Sequence, residues 1–404
     1  MPLKKLAAIA AGVVLFLSGL AQAKMVWWKA DSKIQFEPLY SVSAGDSLHV
    51  WAAGFRLTHS TDGGISWSLQ SSSPMTPEQI DFIDSLRGWG ATGEYIFHTS
   101  NGGQNWMVQN DTGGMTLRAI EFIDSLHGVA IGSRGGVPAF ALFTSDGGLT
   151  WRKSFYPLSS VSIHSVKLLD TNHVWVGGNN FFGTIDTSVV FFSSDWGATW
   201  QARTLHDKFE HTTAIAIDFI DTLNGYILSQ YGNGGEHYFY RTSNGGLTWT
   251  RILELSAFSN WTLCDMDVVD TQHIWMAGSL FQGDNRAGFL SSFNGGASWD
   301  TTLTGKFDIF GEIEMFSNSR GWVVGGEGLL YAYVELILGD LDMDKEVTAA
   351  DVVLELNKVF LGQPFPAPQE AADVNCDGLF TAADVVLHLN RTFLGITSPP
   401  WCGT

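Results

Sequence analysis

Two acid-rich loops near the C-terminus carry the residues best suited to chemistry, and they are near-copies of each other. The first runs from Gly339 to Asp351 and the second from Asp373 to Asp384. Each places carboxylate or amide oxygens at loop positions 1, 3, 5 and 12 and a backbone carbonyl at position 7, the oxygen cage that a hard cation such as calcium requires. Matching segments follow at 352–361 and 385–394, and we predict both to be helices.

The paired loop–helix units resemble a type I dockerin, an EF-hand-like module that binds two calcium ions and plugs into a cohesin domain on another protein. The resemblance implies one ion held by Asp340, Asp342, Asp344, Asp351 and the carbonyl of Glu346, and a second held by Asp373, Asn375, Asp377, Asp384 and the carbonyl of Leu379, with Thr348 and Thr381 acting through water. Two features depart from the family pattern. Lys345 stands where glycine usually makes the sharp turn, and Ala349-Ala350 and Ala382-Ala383 stand where Ser and Thr often serve cohesin recognition.

The module also contains two of the three cysteines of the chain. Cys376 lies in the second loop, and Cys402 follows Pro399-Pro400. In an exported protein we expect them to form a disulfide that ties the tail over the loop. Cys264, on a predicted strand, is interpreted as a buried small apolar residue.

An eight-residue motif builds most of the remaining chain. In each copy a small hydroxyl residue precedes Asp or Asn by two, glycine follows, and a Trp closes the octet. The copies span 60–67, 99–106, 144–151, 193–200, 242–249 and 292–299. Because the Asp or Asn accepts N–H bonds across its own turn and the Trp enters apolar packing, the octet predicts a strand, a fixed turn and a strand.

Upstream of each octet lies a second recurring signal, seen best at 83–89 and 123–129, with other copies centred on His49, His173, Asn224, His273 and Arg320. Period-two apolar alternation on both sides of a polar turn predicts a hairpin. With the octet turn, one repeat carries four antiparallel strands, which is a propeller blade. We therefore predict a mainly β chain, with a seven-bladed β-propeller over 24–337 and a small all-α calcium-binding module over 338–404.

The octet resembles the Asp-box (BNR repeat) of sialidases, xyloglucan-degrading hydrolases and propellers related to the photosystem II assembly factor. That resemblance implies a turn between the third and fourth strands of each blade, remote from any active site. The seventh unit, 312–335, has no octet and so lacks a fourth strand. We expect residues 25–34 to supply it and to close the ring, which leaves only short protected edges.

Two further slots repeat around the ring. His49, His127, His173 and His273 share one position of the first hairpin turn, where Arg and Asn also serve, so we interpret them as structural rather than metal-binding. Asp81, Glu121, Asp218, Asp267 and Glu314 share one position of the innermost strand, with Lys167 and Ser43 in the other blades. They predict an acidic ring near the central channel or, in the interpretation we prefer, hydrogen bonds to neighbouring turns.

The N-terminus predicts export. Lys4 and Lys5 precede the apolar run 6–20, and Ala21-Gln22-Ala23 provides a small-x-small cleavage site, so 1–23 is interpreted as a secretory signal peptide of bacterial type. No later run is apolar enough to span a bilayer, and we expect a secreted or cell-surface protein. The net charge of -19 argues against nucleic acid and anionic membranes as partners and suits calcium.

The loops between second and third strands lengthen in blades three to six, at 133–138, 178–187, 230–236 and 280–286, and they predict a raised sector on one face. It carries Phe181, Phe182, Tyr231 and Phe281, and the neighbouring connection adds His206, Asp207, Glu210 and His211. Loops on a rigid scaffold are where function concentrates. The sector either binds sugar rings or a protein, or merely covers the ring.

Three functions are compatible with these features, and no catalytic residue is assigned. The first is a non-catalytic propeller that binds a glycan or a protein and is held in a larger assembly through a cohesin-like partner. The second is a secreted glycoside hydrolase acting in polysaccharide catabolism, which would need two carboxylates across a substrate. The third is a structural surface protein whose dockerin packs within the same molecule.

Overall fold

The computed structural model describes residues 24–34, 36–70, 77–112, 116–133, 139–158, 160–182, 185–205, 212–231, 236–254, 261–280, 286–306, 310–341, 343, 346–362, 367, 371–377 and 379–394. Compactness divides the chain into one unit of residues 29–332 and another of residues 1–28 with 333–404. Among the described residues, no helix is long and apolar enough to cross a membrane.

The strands form seven four-stranded sheets, and in each sheet the strand order runs from the innermost strand to the outermost. The first three are β2 (Leu39–Ala44), β3 (Val50–Gly54), β4 (Leu57–Ser60) and β5 (Ser68–Leu69); β6 (Gln79–Phe82), β7 (Gly88–Thr92), β8 (Tyr95–Thr99) and β9 (Met107–Asp111); and β10 (Thr116–Phe122), β11 (Gly128–Ser133), β12 (Phe140–Thr144) and β13 (Arg152–Phe155). The next three are β14 (Val161–Asp170), β15 (His173–Phe182), β16 (Ile185–Ser193) and β17 (Gln201–Thr204); β18 (Thr212–Phe219), β19 (Gly225–Tyr231), β20 (Glu236–Thr242) and β21 (Thr250–Glu254); and β22 (Trp261–Val268), β23 (Ile274–Leu280), β24 (Arg286–Ser292) and β25 (Asp300–Lys306).

The seventh sheet contains the N-terminal strand. Its order is β26 (Phe310–Ser317), β27 (Arg320–Gly325), β28 (Leu330–Leu336) and then β1 (Lys24–Lys29), with a short 3-10 turn at Gly326–Gly328 between β27 and β28. The innermost strands contact one another in sequence, and β26 contacts β2. The predicted seven-bladed propeller, with its last blade completed from the N-terminus, is therefore confirmed. Two helices follow, α1 (Ala349–Leu361) and α2 (Ala382–Leu394).

Stacked aromatic rings fill the junctions between blades. Trp51, on the second strand of blade one, stacks on Phe82, on the first strand of blade two, at 3.7 Å between ring centroids. The octet Trp of blade two, Trp106, then meets the same phenylalanine edge-on at 5.8 Å. Equivalent stacks join Trp89 to Phe122 and Trp175 to Phe219. Buried aromatic area of this kind is a large hydrophobic contribution to the core.

Each octet is a turn closed by its own side chains. In the third blade the Thr144 hydroxyl donates to Asp146 and accepts the N–H of Gly148, while the Thr150 N–H donates to Asp146. Gly147 and Gly148 have φ values of 74° and 88°, which glycine adopts without strain. The same bond, from the N–H of the glycine four residues after the hydroxyl residue, recurs in the other five octets. The turns lie between third and fourth strands, as predicted.

The octet also joins its blade to the preceding one. The indole of Trp51 donates to the carbonyl of Gly102, in the octet of blade two, and Gln70 donates to that same oxygen. Trp89 with Gln109 and Trp175 with Arg203 repeat this arrangement on Gly147 and Gly245. One octet carbonyl therefore receives two donors from the previous blade, which fixes the spacing between blades.

The first hairpin turns confirm that the repeated histidines are structural. His49 lies 2.8 Å from the Asp46 carboxylate, which also accepts the N–H groups of Leu48 and His49. His127, His173 and His273 contact the aspartate three residues earlier in the same way, and Arg87 and Asn224 do so in their blades. Each of these side chains closes its own turn.

The junction between blades three and four departs from the pattern at two positions at once. Val129 replaces the second-strand Trp, and Trp196 replaces the first glycine of the octet and keeps a positive φ of 53°. The Trp196 ring lies edge-on to Phe143 at 5.0 Å, and its indole N–H donates to the Ser145 hydroxyl. The indole thus enters the junction from the opposite blade.

This exchange predicts a compensating pair of substitutions. Trp196→Gly should relieve about 1 kcal/mol of backbone strain but lose about 3 kcal/mol of packing, so the melting temperature should fall. Val129→Trp combined with Trp196→Gly should recover much of the loss, because it restores the arrangement of the other junctions. Thermal unfolding followed by circular dichroism measures both. An unchanged melting temperature for Trp196→Gly alone would contradict the packing role.

Candidate functional site

The two C-terminal helices begin at side chains that belong to the acid-rich loops. Thr348 caps α1, and it forms a capping box with Asp351, whose carboxylate accepts the Thr348 N–H. Thr381 and Asp384 make the same backbone bond at the start of α2. A hydroxyl residue followed three positions later by an acid satisfies two N–H groups that a helix start leaves free. The motif that starts each helix therefore also places a predicted calcium ligand.

The carboxylates at position 12 hold both ends of their loops. Asp351 is fully buried and accepts N–H bonds from Leu341 at 2.6 Å and from Thr348 at 2.7 Å. Asp384 is equally buried and accepts N–H bonds from Asn375 and Thr381. Because each carboxylate connects the beginning of a loop to the helix that follows it, the loop is folded back toward one interior.

The other oxygen donors of loop two accept hydrogen bonds from N–H groups of the same loop. The N–H of Asp377 donates to Asp373 and to the side-chain oxygen of Asn375, and the N–H of Leu379 donates to Asp377. The donors are carboxylate, amide and backbone oxygens, which fit a hard cation. The described His, Cys, Asp and Glu residues do not gather three donors around one point; the loop carboxylates bond the loop's own N–H groups, for which a bound cation would compete.

Loop one is described in part. Asp342, Asp344 and Lys345 lie outside the described residues, whereas Asp340 is buried and Glu346 is exposed. Met343 and Cys376 occupy position 4 of the two loops and have nearly equal positive φ values of 61° and 55°. The two loops therefore share a backbone reversal at the same position.

The cysteines fall into two classes. Cys376 is disulfide-bonded and Cys264 is free. Cys402 lies outside the described residues, so its pairing with Cys376 stays a prediction. Cys264 is only half-buried, contrary to the prediction, because it lines the central channel, where its thiol donates to the carbonyl of Ala277.

The helices meet through a pair that sequence reasoning missed. Glu355 and His388 occupy equivalent positions of α1 and α2, both are fully buried, and Glu355 Oε1 lies 3.0 Å from His388 Nδ1. Burial raises the pKa of Glu355. The helix sequences AADVVLELN and AADVVLHLN differ only here. The one difference between the two copies could have indicated this pair from the sequence. Two glutamates at these equivalent positions would repel each other where the helices meet.

The propeller channel is the second candidate site, a cavity of about 730 Å³ lined by all seven innermost strands. The acidic slot does lie on the channel. The preferred interpretation, hydrogen bonds to neighbouring turns, is wrong about the partner, because the acceptors meet N–H groups of strand residues. Each acceptor takes an N–H of the innermost strand of the next blade. The pairs are Ser43 with Phe82, Asp81 with Phe122, Glu121 with Leu168, Asp218 with Val268, Asp267 with Met315 and Glu314 with Ala44.

A second tier of acceptors lies two residues earlier on the same strands and was not anticipated. Ser41, Ser165, Asp265 and Glu312 accept the N–H groups of Ile80, Ile217, Ile313 and Val42. At the remaining slot Lys167 cannot accept a bond, and its ammonium lies 2.8 Å from Asp218 instead. Although burial acts in the opposite direction, the carboxylates of Asp218 and Glu121 raise the pKa of Lys167.

Crowding in the channel perturbs the carboxyls strongly. Burial raises the pKa of Asp81 and Glu312 to about 7 and of Glu121 to about 8. Burial, reinforced by the Asp218 charge, also raises the pKa of Asp267 to about 7. Several channel carboxyls are therefore partly protonated near neutral pH, which reduces their mutual repulsion.

The predicted raised sector is described only in part. Phe281, His206, Asp207, Glu210 and His211 lie outside the described residues. Phe181 and Phe182 stand on β15, because the predicted loop 178–187 is largely a continuation of the hairpin, with Phe181 opposite Asp186 and Phe182 opposite Ile185. Tyr231 ends β19 opposite Glu236 and is 38% exposed. A ligand site formed by these residues stays a prediction.

Comparisons with known proteins agree with both parts of the chain. Residues 338–392 match the dockerin type I domain family, whose members bind calcium and cohesins. The fold resembles the structure described as YCF48 bound to D1 peptide, with a TM-score of 0.58 and 19% identity over 77% of this chain and 96% of that one. YCF48 from Cyanidioschyzon merolae gives a TM-score of 0.57 and 17% identity, covering 76% and 98%.

A GH74 enzyme from Niastella koreensis is also similar in fold, with a TM-score of 0.57 and 16% identity over 76% of this chain and 53% of that enzyme. The chain thus spans about half of that enzyme's length. Identities this low establish the fold alone. Among curated protein sequences no match was found.

Calcium binding can be tested on the full chain. Asp384→Ala should remove the second site and Asp351→Ala the first, because each carboxylate organises one loop, so the calorimetric stoichiometry should fall from two to one in each variant. Lys345→Gly should tighten the first site by restoring the sharp turn. Asp300→Ala, an exposed carboxylate of the propeller, serves as the control. Two full-strength sites in Asp384→Ala would contradict the assignment.

The channel predicts a pH dependence of stability. In the folded protein the pKa values of the channel carboxyls are raised, whereas in the unfolded protein they lie near the ordinary value of about 4. Between these two values the folded state binds more protons than the unfolded state. Stability should therefore fall as pH rises from about 5 to about 8, with a melting temperature lower by about 5 °C. Conversely, the hydrogen bond from Thr150 lowers the pKa of Asp146, whose contribution is lost as pH falls below about 4.

The variant Glu121→Gln tests whether the channel carboxyls cause the pH dependence of stability. Glutamine keeps an acceptor for the Leu168 N–H but does not titrate, so the fall in melting temperature between pH 5 and 8 should become smaller. Asp300→Asn, on the surface, should leave the pH profile unchanged. A wild-type melting temperature that rises over this range would refute the prediction.

Proposed function

We propose that this protein is an exported recognition module, in which the propeller binds a glycan or a protein and the dockerin attaches it, with calcium, to a cohesin-bearing assembly at or outside the cell surface. The observation that carries the proposal is the match of residues 338–392 to the dockerin type I domain, joined to two loops that hold oxygen donors at the corresponding positions. Attachment is what such a module supplies.

A binding role for the propeller is supported by how its carboxylates are used. General acid–base hydrolysis needs two carboxyls free to face a substrate. In the described part of the channel, each acid of the repeated slot accepts a backbone N–H from the next blade, and Asp265 and Glu312 do the same. Removing such a carboxylate would leave a donor unpaired, so the acids are tied to the architecture.

The identity of the ligand is open between two classes. The fold neighbour YCF48 is described in complex with a peptide, which favours a protein ligand. The GH74 neighbour is described as an enzyme, and this keeps the hydrolase as the alternative function. A screen of the full-length protein against polysaccharides, chromogenic glycosides and peptide arrays distinguishes them: turnover of any glycoside establishes the hydrolase, whereas binding without turnover supports the proposal.

The exposed start of each helix is the proposed partner surface. Ala349 and Ala350 on α1 and Ala382 and Ala383 on α2 are exposed, and Val353 and Val386 are both 54% exposed one turn later. We infer that the cohesin-like partner presents an apolar face here, since hydroxyl residues are absent from these positions.

Ala350→Asp with Ala383→Asp should weaken cohesin binding at least about tenfold, because a desolvated charge in an apolar contact costs more than 1.4 kcal/mol. Acids in the first turn favour the helix, so calcium binding should persist. Titration calorimetry against a panel of cohesins gives the affinities, with Leu149→Asp on the propeller as control. If no cohesin binds the parent chain, an intramolecular role for the dockerin is favoured and attachment is rejected.

A further inference from the structure

The strand that completes the seventh blade is held differently from the other outer strands. β1 is the outermost strand of its sheet. In the other six blades an octet connects the third strand to the fourth, whereas β1 and β28 are separated by the strands of the other six blades. An outermost strand that no short turn joins to its neighbour opens locally unless other contacts hold it. The attachment of β1 therefore depends on its non-covalent contacts.

Val26 of β1 packs against a hydrophobic cluster formed by the two acid-rich loops, helix α1 and the segment between that helix and the second loop. The buried members are Leu341, Ala367, Ala371 and Ala372, and Met343, Leu354 and Phe380 border it together with Val26. Trp27 adds a ring contact to Tyr333 at 4.9 Å. Residues 1–28 and 333–404 form one compact unit, so β1 belongs to the same unit as the calcium loops.

The two loops shape this cluster. Leu341 follows the first predicted ligand, Asp340, and its N–H is held by the buried Asp351 carboxylate. Met343 lies at position 4 of loop one and Phe380 at position 8 of loop two. The N–H of Gly339 donates to the carbonyl of Ala371, two residues before loop two, at 2.7 Å. A cation that orders the loops should therefore also order the hydrophobic cluster against which Val26 packs.

We propose that calcium binding in the two loops is coupled to closure of the propeller ring through Val26. Calcium orders the loops, the ordered loops hold Val26, and Val26 holds β1 in the seventh sheet. The coupling is reciprocal, so a loosened β1 lowers the calcium affinity. The inference rests on calcium binding by the loops and is independent of which ligand the propeller takes.

Amide hydrogen exchange on the full-length protein tests the first half of the coupling. When calcium is replaced by EDTA, exchange of residues 24–29 should accelerate at least about tenfold, because local opening of an edge strand becomes easier. The sheet β18 to β21, remote in sequence from both ends, is the internal control and should not change. Unaltered exchange in β1, while calorimetry shows calcium binding, would overturn the proposal.

A matched pair of variants tests the second half. Val26→Ser should raise the calcium Kd at least about fivefold, whereas Val359→Ser, a valine on α1 that is 38% exposed and lies outside the cluster, should leave it unchanged. Equal calcium affinities in the two variants reject the coupling. If the parent chain shows no heat of calcium binding, the coupling is rejected because its premise fails. That result would not test which ligand the propeller binds. The exchange comparison of the parent chain remains decisive if Val26→Ser fails to fold.

Discussion

The propeller depends on satisfying the backbone N–H groups along the free edge of each innermost strand. Those edges face the channel, where no further strand can pair with them, and an unpaired buried N–H is costly. The chain meets this constraint with one or two side-chain acceptors per blade, such as Glu121 for Leu168 or the pair Glu312 and Glu314 for Val42 and Ala44. The acidity of the channel is thus a consequence of the architecture, and the raised pKa values follow from bringing the acceptors together.

A second set of inter-blade contacts lies at the octets. An indole N–H such as that of Trp89 and the Gln109 side chain meet on one octet carbonyl, while the same Trp stacks on the next blade. Where both occur, the inner side-chain acceptors and the outer tryptophans fix two points on a blade, and these determine its angle to the neighbouring blade. At the junction where Val129 replaces the second-strand Trp, Trp196 supplies an aromatic ring from the opposite blade, so the close packing between blades is kept with different residue types.

These contacts also bear on function. The repeated acids of the described channel are hydrogen-bonded into the scaffold, and the four repeated histidines close their own turns. In the C-terminal module the duplicated helices contact each other. They differ at Glu355 and His388, where two identical charges would otherwise meet. Recognition is therefore expected in the loops of the propeller and in the exposed helix starts of the dockerin, rather than in the repeated polar slots.

The sequence alone determined the elements that are encoded locally. Period-two alternation, the octets and the paired acid-rich loops predicted seven four-stranded blades, the N-terminal closing strand and the two helices, because turn and strand signals act over a few residues. The tertiary structure alone decided which N–H each acid meets, since Asp81 and Phe122 are 41 residues apart and Glu314 and Ala44 are 270 apart. It also extended the hairpin at Phe181 and placed Val26 beside the acid-rich loops. Such contacts form only when the ring closes, so patterns over a few neighbouring residues cannot predict them.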